Sequence, residues 1–138
     1  MHTWEKDTKF VYPTLNFDDE FIKLDKTFLN NSSLVCVDDI ILYSRKLVKE
    51  QFKFIQTVLK NQIYGWILGP PGSGKSITAY SYIPSIVKDG WTVTWIHLSN
   101  LKYPICLQFN KNSKNSLNYF DINDVLLSFE DNEKNIIY

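Results

Sequence analysis

Hydrophobic spacing is most regular between residues 44 and 61. Apolar side chains recur there three and four positions apart, and most positions between them carry lysine, glutamate or glutamine. An apolar face opposite a charged face is typical of an amphipathic helix that packs on a core. Ser44 precedes the pattern and is the predicted N-cap. We therefore predict a helix over residues 44–61 whose inner face consists of Leu47, Val48, Phe52, Ile55 and Leu59.

Two apolar runs further along the chain predict buried strands, at residues 64–68 and 91–98. The first run is short and bounded by turn residues, and the second is a longer β-rich run that follows Asp89 and Gly90. Residues 76–83 between them have helical spacing, Pro84 interrupts that helix, and Gly90 ends it. A strand, a helix and a second strand of these lengths predict a right-handed βαβ unit with a parallel pair of strands.

The first 43 residues have a less regular pattern, and we treat them as a segment of uncertain fold. Residues 10–12 and 34–37 resemble short strands. Residues 18–29 have weak helical spacing through Phe21, Leu24 and Phe28, and the acidic residues before them are typical of a helix start. The segment therefore predicts two strands and one helix.

Downstream of residue 98 the pattern predicts a strand followed by a loop. Residues 103–109 are strand-like, and Pro104 favours a place at the edge of a sheet because proline lacks an amide donor. Residues 110–118 consist almost entirely of Asn, Lys and Ser, and they predict a polar loop.

Within residues 121–131, the run from Val125 to Asp131 is largely apolar and ends in two acidic residues. It superficially resembles a Walker B strand, whose terminal acid helps to hold Mg²⁺. The apolar residues of 121–131, however, fall at helical spacing, so we predict a helix there. Asp121 and Asp124 resemble a capping pair at its start. An acidic strand would then begin at residue 135.

The candidate chemistry is concentrated in one glycine-rich stretch, residues 69–76. It matches the Walker A pattern G-x-x-x-x-G-K-[ST] at every fixed position. In that pattern the glycines let the backbone wrap a polyphosphate, the lysine reaches the β- and γ-phosphates, and the final hydroxyl binds Mg²⁺. We predict that ATP or GTP binds here with Mg²⁺, and that Ser76 is the metal ligand. The predicted nucleotide-binding residues are Gly69, Pro70, Pro71, Gly72, Ser73, Gly74, Lys75, Ser76 and Ile77.

Composition narrows the class of protein. The 138 residues are 44% hydrophobic, which suits a single packed domain. The formal net charge is +0, so no nucleic-acid-binding surface is indicated, and no apolar run is long enough to span a membrane. Cys36 and Cys106 lie among apolar residues, which favours buried free thiols over a disulfide. We expect an intracellular protein located in the cytoplasm, with the nucleus as the alternative.

The order of these features resembles the P-loop NTPase region of Crinkler and retrotransposon-hot-spot-type proteins. The resemblance covers the helix at residues 44–61, the Walker A stretch, the strand at 91–98 and the closing helix and strand. It implies that Lys75 binds phosphate and that Ser76 binds Mg²⁺. It also implies a hydrophobic strand with a Walker B acid, which does not occur before Tyr138. The same glycine-rich loop is common in AAA+ ATPases, which are the close alternative.

We therefore predict a three-layer α/β/α P-loop domain with a mostly parallel sheet, formed by residues 44–138 and incomplete at its C-terminus. Its predicted function is to bind a nucleoside triphosphate with Mg²⁺, as part of an NTPase whose full-length form hydrolyses the nucleotide. The alternatives are a non-hydrolysing nucleotide-binding module and a small-molecule kinase. No catalytic residue is assigned. An exposed edge of an incomplete sheet would favour a protein partner or self-association.

Overall fold

The computed structural model describes residues 4–32, 34, 38–61, 65, 74–96, 105–118, 120–127 and 134–137. The strands are β1 (Glu5–Lys6), β2 (Phe21–Leu24), β3 (Ile40–Tyr43), β4 (Trp91–Ile96), β5 (Ile105–Asn110), β6 (Ser113–Asn118) and β7 (Lys134–Ile137). The helices are α1 (Lys26–Leu29), α2 (Lys46–Asn61), α3 (Lys75–Ser81), α4 (Ile83–Lys88) and α5 (Ile122–Leu127).

The strands form two sheets. The larger sheet has the order β1-β6-β5-β4-β7, and the smaller one pairs β2 with β3. Each neighbouring pair is antiparallel except β4 and β7, which run parallel with Trp91 opposite Lys134. The chain is therefore a small domain rich in antiparallel sheet.

The predicted three-layer α/β/α fold with a mostly parallel sheet is wrong. Strand β5 is followed at once by β6, through a turn at Lys111 and Asn112, so the two strands form an antiparallel hairpin. The predicted polar loop at residues 110–118 is mostly the strand β6. Strand β5 lies inside the sheet rather than at its edge, because β6 and β4 flank it.

The strand β6 was mistaken for a loop because the residue that faces the larger core is a lysine. Lys114 points into the larger core and is only 1% exposed, whereas a strand of a half-buried sheet normally has an apolar residue there. Leu117 points to the other face, where it packs with Cys106 and Val125 of α5. The strand therefore has one buried apolar residue and no apolar alternation.

Helix α2 confirms the predicted amphipathic helix. Val48 and Ile55 are buried, and Phe52 and Leu59 pack against the same core. Two details differ. The Ser44 hydroxyl does not cap the helix but donates to the carbonyl of Phe17 (2.9 Å), and Leu47 is exposed.

The interruption predicted at Pro84 is confirmed. Helix α3 ends at Ser81 and α4 begins at Ile83, with Tyr82 between them. Pro84 lies in the first turn of α4, where its missing amide has no helical acceptor to lose. Gly90 has a φ of 93° and its amide donates to the carbonyl of Val87 (3.0 Å), which closes α4 as predicted.

The predicted helix over residues 18–29 is wrong for most of its length. Residues 21–24 alternate between exposed and buried side chains in β2, a pattern that also fits the weak helical spacing in so short a run. Only α1 is helical, and Asp25 caps it by accepting from the amide of Phe28 (2.9 Å). Residues 10–12 form no strand, but Phe10 and Tyr12 pack on the core. Of the predicted strand at 34–37, only Leu34 is among the described residues.

The helix predicted near the C-terminus is confirmed over α5. Its capping pair is reciprocal, because the Asp124 amide donates to the Asp121 carboxylate (3.0 Å) and the Asp121 amide to the Asp124 carboxylate (3.1 Å). Residues 128–131 lie outside the described part of the chain. A strand, β7, follows close to where one was predicted to begin.

A buried lysine joins the larger core to the end of α1. The Lys114 ammonium donates to the carbonyl oxygens of Thr27 (3.2 Å), Phe28 (3.1 Å) and Asn30 (2.6 Å). It also lies 5.3 Å from the centre of the Phe10 ring. Burial lowers the pKa of Lys114 to about 8, against the opposing attraction of two nearby aspartates. Three donors thus meet three acceptors, and no hydrogen of the ammonium needs water.

We expect Lys114→Met to destabilise the fold, because it leaves the carbonyls at the end of α1 without their shared donor, at a cost of about 2 kcal/mol at neutral pH. The size of this loss should depend on pH. Between the folded pKa of about 8 and the unfolded value of 10.5, the unfolded chain holds a proton that the folded chain has released. Raising the pH therefore favours the folded wild type.

Urea unfolding of both proteins at pH 7.5 and pH 9.5 measures this effect. The stability advantage of the wild type over Lys114→Met should grow by about 1–2 kcal/mol between the two pH values. Contributions that do not involve residue 114 are shared by both proteins and cancel in the difference. An advantage that stays constant or shrinks would contradict the assignment of the lowered pKa to Lys114.

Candidate functional site

The structure describes the last part of the predicted phosphate-binding loop and the helix that follows it. Gly74, Lys75, Ser76 and Ile77 are among the described residues. The other predicted nucleotide-binding residues lie outside them, namely Gly69, Pro70, Pro71, Gly72 and Ser73. Their roles stay predictions, as does the strand predicted at residues 64–68, of which only Gly65 is described.

Gly74 has the backbone conformation for which a Walker A loop needs glycine. It lies immediately before α3 with φ 82° and ψ 16°, in the left-handed region. A Cβ atom added there would meet Ile77 at 3.7 Å and Thr78 at 4.0 Å, which are ordinary contacts. A side chain would thus be excluded by backbone strain and not by crowding. The carbonyl of Gly74 accepts from the Thr78 amide (3.0 Å), so the helix begins directly at Lys75.

Lys75 and Ser76 are the first two residues of α3, and both are half-buried. In any α-helix the amides of the first turn have no carbonyl of the same helix to bond. The lysine and hydroxyl side chains therefore start from the same short stretch of backbone as those amides. Gly74, Lys75 and Ser76 are brought together here in the order that the Walker A pattern requires.

Helix α2 contacts the chain on both sides of the predicted loop. Before the loop, Gly65 lies so close to α2 that an added Cβ would meet Val58 at 2.6 Å and Phe54 at 2.9 Å. After the loop, the side-chain amide of Gln51 donates to the backbone carbonyl of Lys75 (3.2 Å). Helix α2 therefore contacts the chain at Gly65 and again at Lys75.

The far end of α3 is fixed by two tyrosines. The Tyr80 hydroxyl donates to the carbonyl of Phe28 at the end of α1. The Tyr82 hydroxyl donates to the carbonyl of Val48 in α2, and its ring stacks on Phe52 with 4.4 Å between the centres. Burial raises the pKa of Tyr82, so its hydroxyl keeps its proton and remains a donor. These contacts leave α3 little freedom to rotate.

Three residues that support the site were not predicted from the sequence, namely Gln51, Tyr80 and Tyr82. For Gln51 the signal was available, because it lies three positions after Val48 and four before Ile55 and thus on the inner face of the helix. A polar side chain at such a position needs a hydrogen-bond partner. For the tyrosines the partners are carbonyls of distant segments, and no local pattern indicates them.

Outside the loop, we looked among the described residues for metal ligands, reactive thiols and membrane-spanning helices. No three His, Cys, Asp or Glu side chains of that part of the chain cluster as metal ligands would. Cys106 is a buried free thiol, as predicted, and burial raises its pKa to about 12; Cys36 lies outside the described residues. No helix described here is both long and apolar enough to cross a membrane.

Comparison with known proteins gives no match. No protein-family model matches the chain, and no curated protein and no solved structure is significantly similar to it. The functional argument therefore depends on the residues of the site.

Alanine substitutions at two glycines with the same backbone conformation can distinguish a loss of stability from a loss of ligand binding. Gly74 and Gly90 have φ values of 82° and 93°, and an added Cβ would not clash with any described atom at either position. We expect Gly74→Ala and Gly90→Ala each to lower the free energy of unfolding by about 1–2 kcal/mol. Only Gly74→Ala should weaken ATP binding, because only Gly74 belongs to the predicted loop.

Urea unfolding and calorimetric titration with ATP and Mg²⁺ provide the two measurements. Gly90→Ala is the matched control, since it carries the same strain at the other end of the helical segment. If both variants bound ATP as the wild type does, Gly74 would have no role in a phosphate site.

Proposed function

We propose that the chain binds a nucleoside triphosphate, with ATP as the first candidate, together with Mg²⁺ through residues 69–76. One observation carries the proposal. The stretch matches Walker A at every fixed position, and its last glycine has the left-handed conformation directly before a helix that begins with the motif's lysine. A surface turn rich in glycine and proline has no need for a lysine and a serine at those positions.

Each residue at the end of the motif has a defined role in this proposal. The left-handed turn at Gly74 directs successive backbone amides towards one anion. The Lys75 ammonium neutralises charge on the β- and γ-phosphates, and the Ser76 hydroxyl is a ligand of Mg²⁺. The ion would supply further positive charge between the phosphate oxygens.

The proposal does not depend on the three-layer fold, which the structure contradicts. Binding of a polyphosphate by a Walker A loop is a local property of backbone amides, one ammonium and one hydroxyl. The Walker A residues are also the specific part of the resemblance to Crinkler-type P-loop NTPases, and that resemblance implies the same ligand. The proposal is binding alone, because no residue of the chain is assigned as a catalytic acid or base.

Calorimetric titration with ATP and Mg²⁺ tests the proposal. We expect Lys75→Ala to weaken binding by about 10- to 100-fold, because charge-assisted hydrogen bonds to phosphate are lost. Lys88→Ala is the control, since Lys88 is an exposed lysine at the end of the next helix and should leave the affinity unchanged. A wild type that does not bind ATP, or equal affinity in wild type and Lys75→Ala, would refute the phosphate site.

A further inference from the structure

We propose that Gln51 is a positioning residue of this nucleotide site, and that it orients the peptide between Lys75 and Ser76 for phosphate binding. The inference rests on the proposed function and adds to it a residue outside the Walker A motif. Its basis is the hydrogen bond from the Gln51 side-chain amide to the Lys75 carbonyl (3.2 Å).

The geometry of the peptide bond explains how a hydrogen bond to the Lys75 carbonyl can affect the Ser76 amide on the opposite side of the same peptide. The described part of the chain contains no cis peptide bonds, and in a trans peptide the carbonyl and the next amide point in opposite directions. As the first residue of α3, Lys75 also has its carbonyl in the hydrogen-bond pattern of the helix, and the Gln51 amide is a second donor to that oxygen. The second donor further restrains the direction of the Ser76 amide. That amide belongs to the backbone stretch with which a Walker A loop surrounds phosphate.

Gln51 lies on a helix that is packed against the core. Its neighbours Val48 and Ile55 are buried in the core, and the Val48 carbonyl accepts the Tyr82 hydroxyl from the far end of α3. Helix α2 thus binds α3 at both ends, through Gln51 at Lys75 and through Val48 at Tyr82. A donor on a packed helix can hold its acceptor within the narrow range that a binding site needs.

Packing alone does not account for a glutamine here. An apolar side chain would fill the half-buried position without the cost of desolvating an amide. The hydrogen bond offsets that cost, and partial burial limits the competition from water. What glutamine adds over a hydrophobic residue is a directed donor, and its acceptor is the backbone of the motif's lysine.

Two substitutions separate orientation from packing. Gln51→Met keeps the length and the unbranched shape of the side chain but removes the donor. Gln51→Glu keeps the shape and makes the donor depend on pH, because a protonated carboxyl can donate to a carbonyl and a carboxylate cannot. Gln56→Met is the matched control, since Gln56 is an exposed glutamine on the same helix.

The affinity for ATP with Mg²⁺ is measured by calorimetry at pH 8 and at pH 5, and thermal unfolding of each variant is recorded beside it. We expect Gln51→Met to bind ATP about fivefold more weakly than the wild type at both pH values, and Gln56→Met to match the wild type. Gln51→Glu should bind at least as weakly as Gln51→Met at pH 8. At pH 5 its affinity relative to the wild type should recover in part, because a glutamate with an ordinary pKa of about 4.3 begins to gain its proton there.

A merely structural role for Gln51 would lower the thermal midpoint without a pH-dependent change in relative affinity, and that result would overturn the inference. Wild-type affinity in Gln51→Met, with binding lost in Lys75→Ala, would overturn it while leaving the proposed function intact. No ATP binding by the wild type would refute the proposed function and the inference with it. The last two outcomes are distinguished by the wild-type titration alone.

Discussion

The packing of the larger sheet against α1 depends on the buried side-chain nitrogen of Lys114 and the three carbonyls that it contacts. A charged group removed from water is costly unless every donor finds an acceptor, and here the acceptors come from the end of α1. The end of α1 gains from the same contact, because the last carbonyls of a helix have no donors within the helix. The β5–β6 hairpin and the segment around α1 are therefore held together by a contact that neither can make alone.

The same carbonyl connects this contact to the candidate site. Phe28 accepts from the Lys114 ammonium (3.1 Å) and from the Tyr80 hydroxyl of α3. Helix α3 is thereby attached to the core on one side, while Gln51 and Tyr82 attach it to α2 on the other. The backbone from Lys75 to Tyr82 is thus held by hydrogen bonds near both of its ends.

Sequence alone predicts the features that depend on neighbours along the chain. The amphipathic spacing of α2, the break at Pro84, the turn at Gly90 and the capping pair at Asp121 and Asp124 are all of this kind, and all are confirmed. The sheet was predicted wrongly because β6 lacks an apolar alternation and because β4 pairs with β7, which is distant along the chain. Lys114 shows the difficulty, since a lysine at an inward position hides the strand unless its carbonyl partners on α1 are already known.

The candidate site likewise has local features, which the sequence predicts, and a distant contact, which it does not. The candidate roles of Gly74 and Lys75 can be proposed from the sequence because a Walker A motif is a local pattern, whereas the hydrogen bond from Gln51 to Lys75 depends on how α2 packs. A local motif does not determine the topology around it: β4 pairs in parallel with β7, which is far along the chain, and antiparallel with β5, its next strand. A wrong fold prediction and a well-founded ligand hypothesis are therefore compatible, because they depend on interactions of different range.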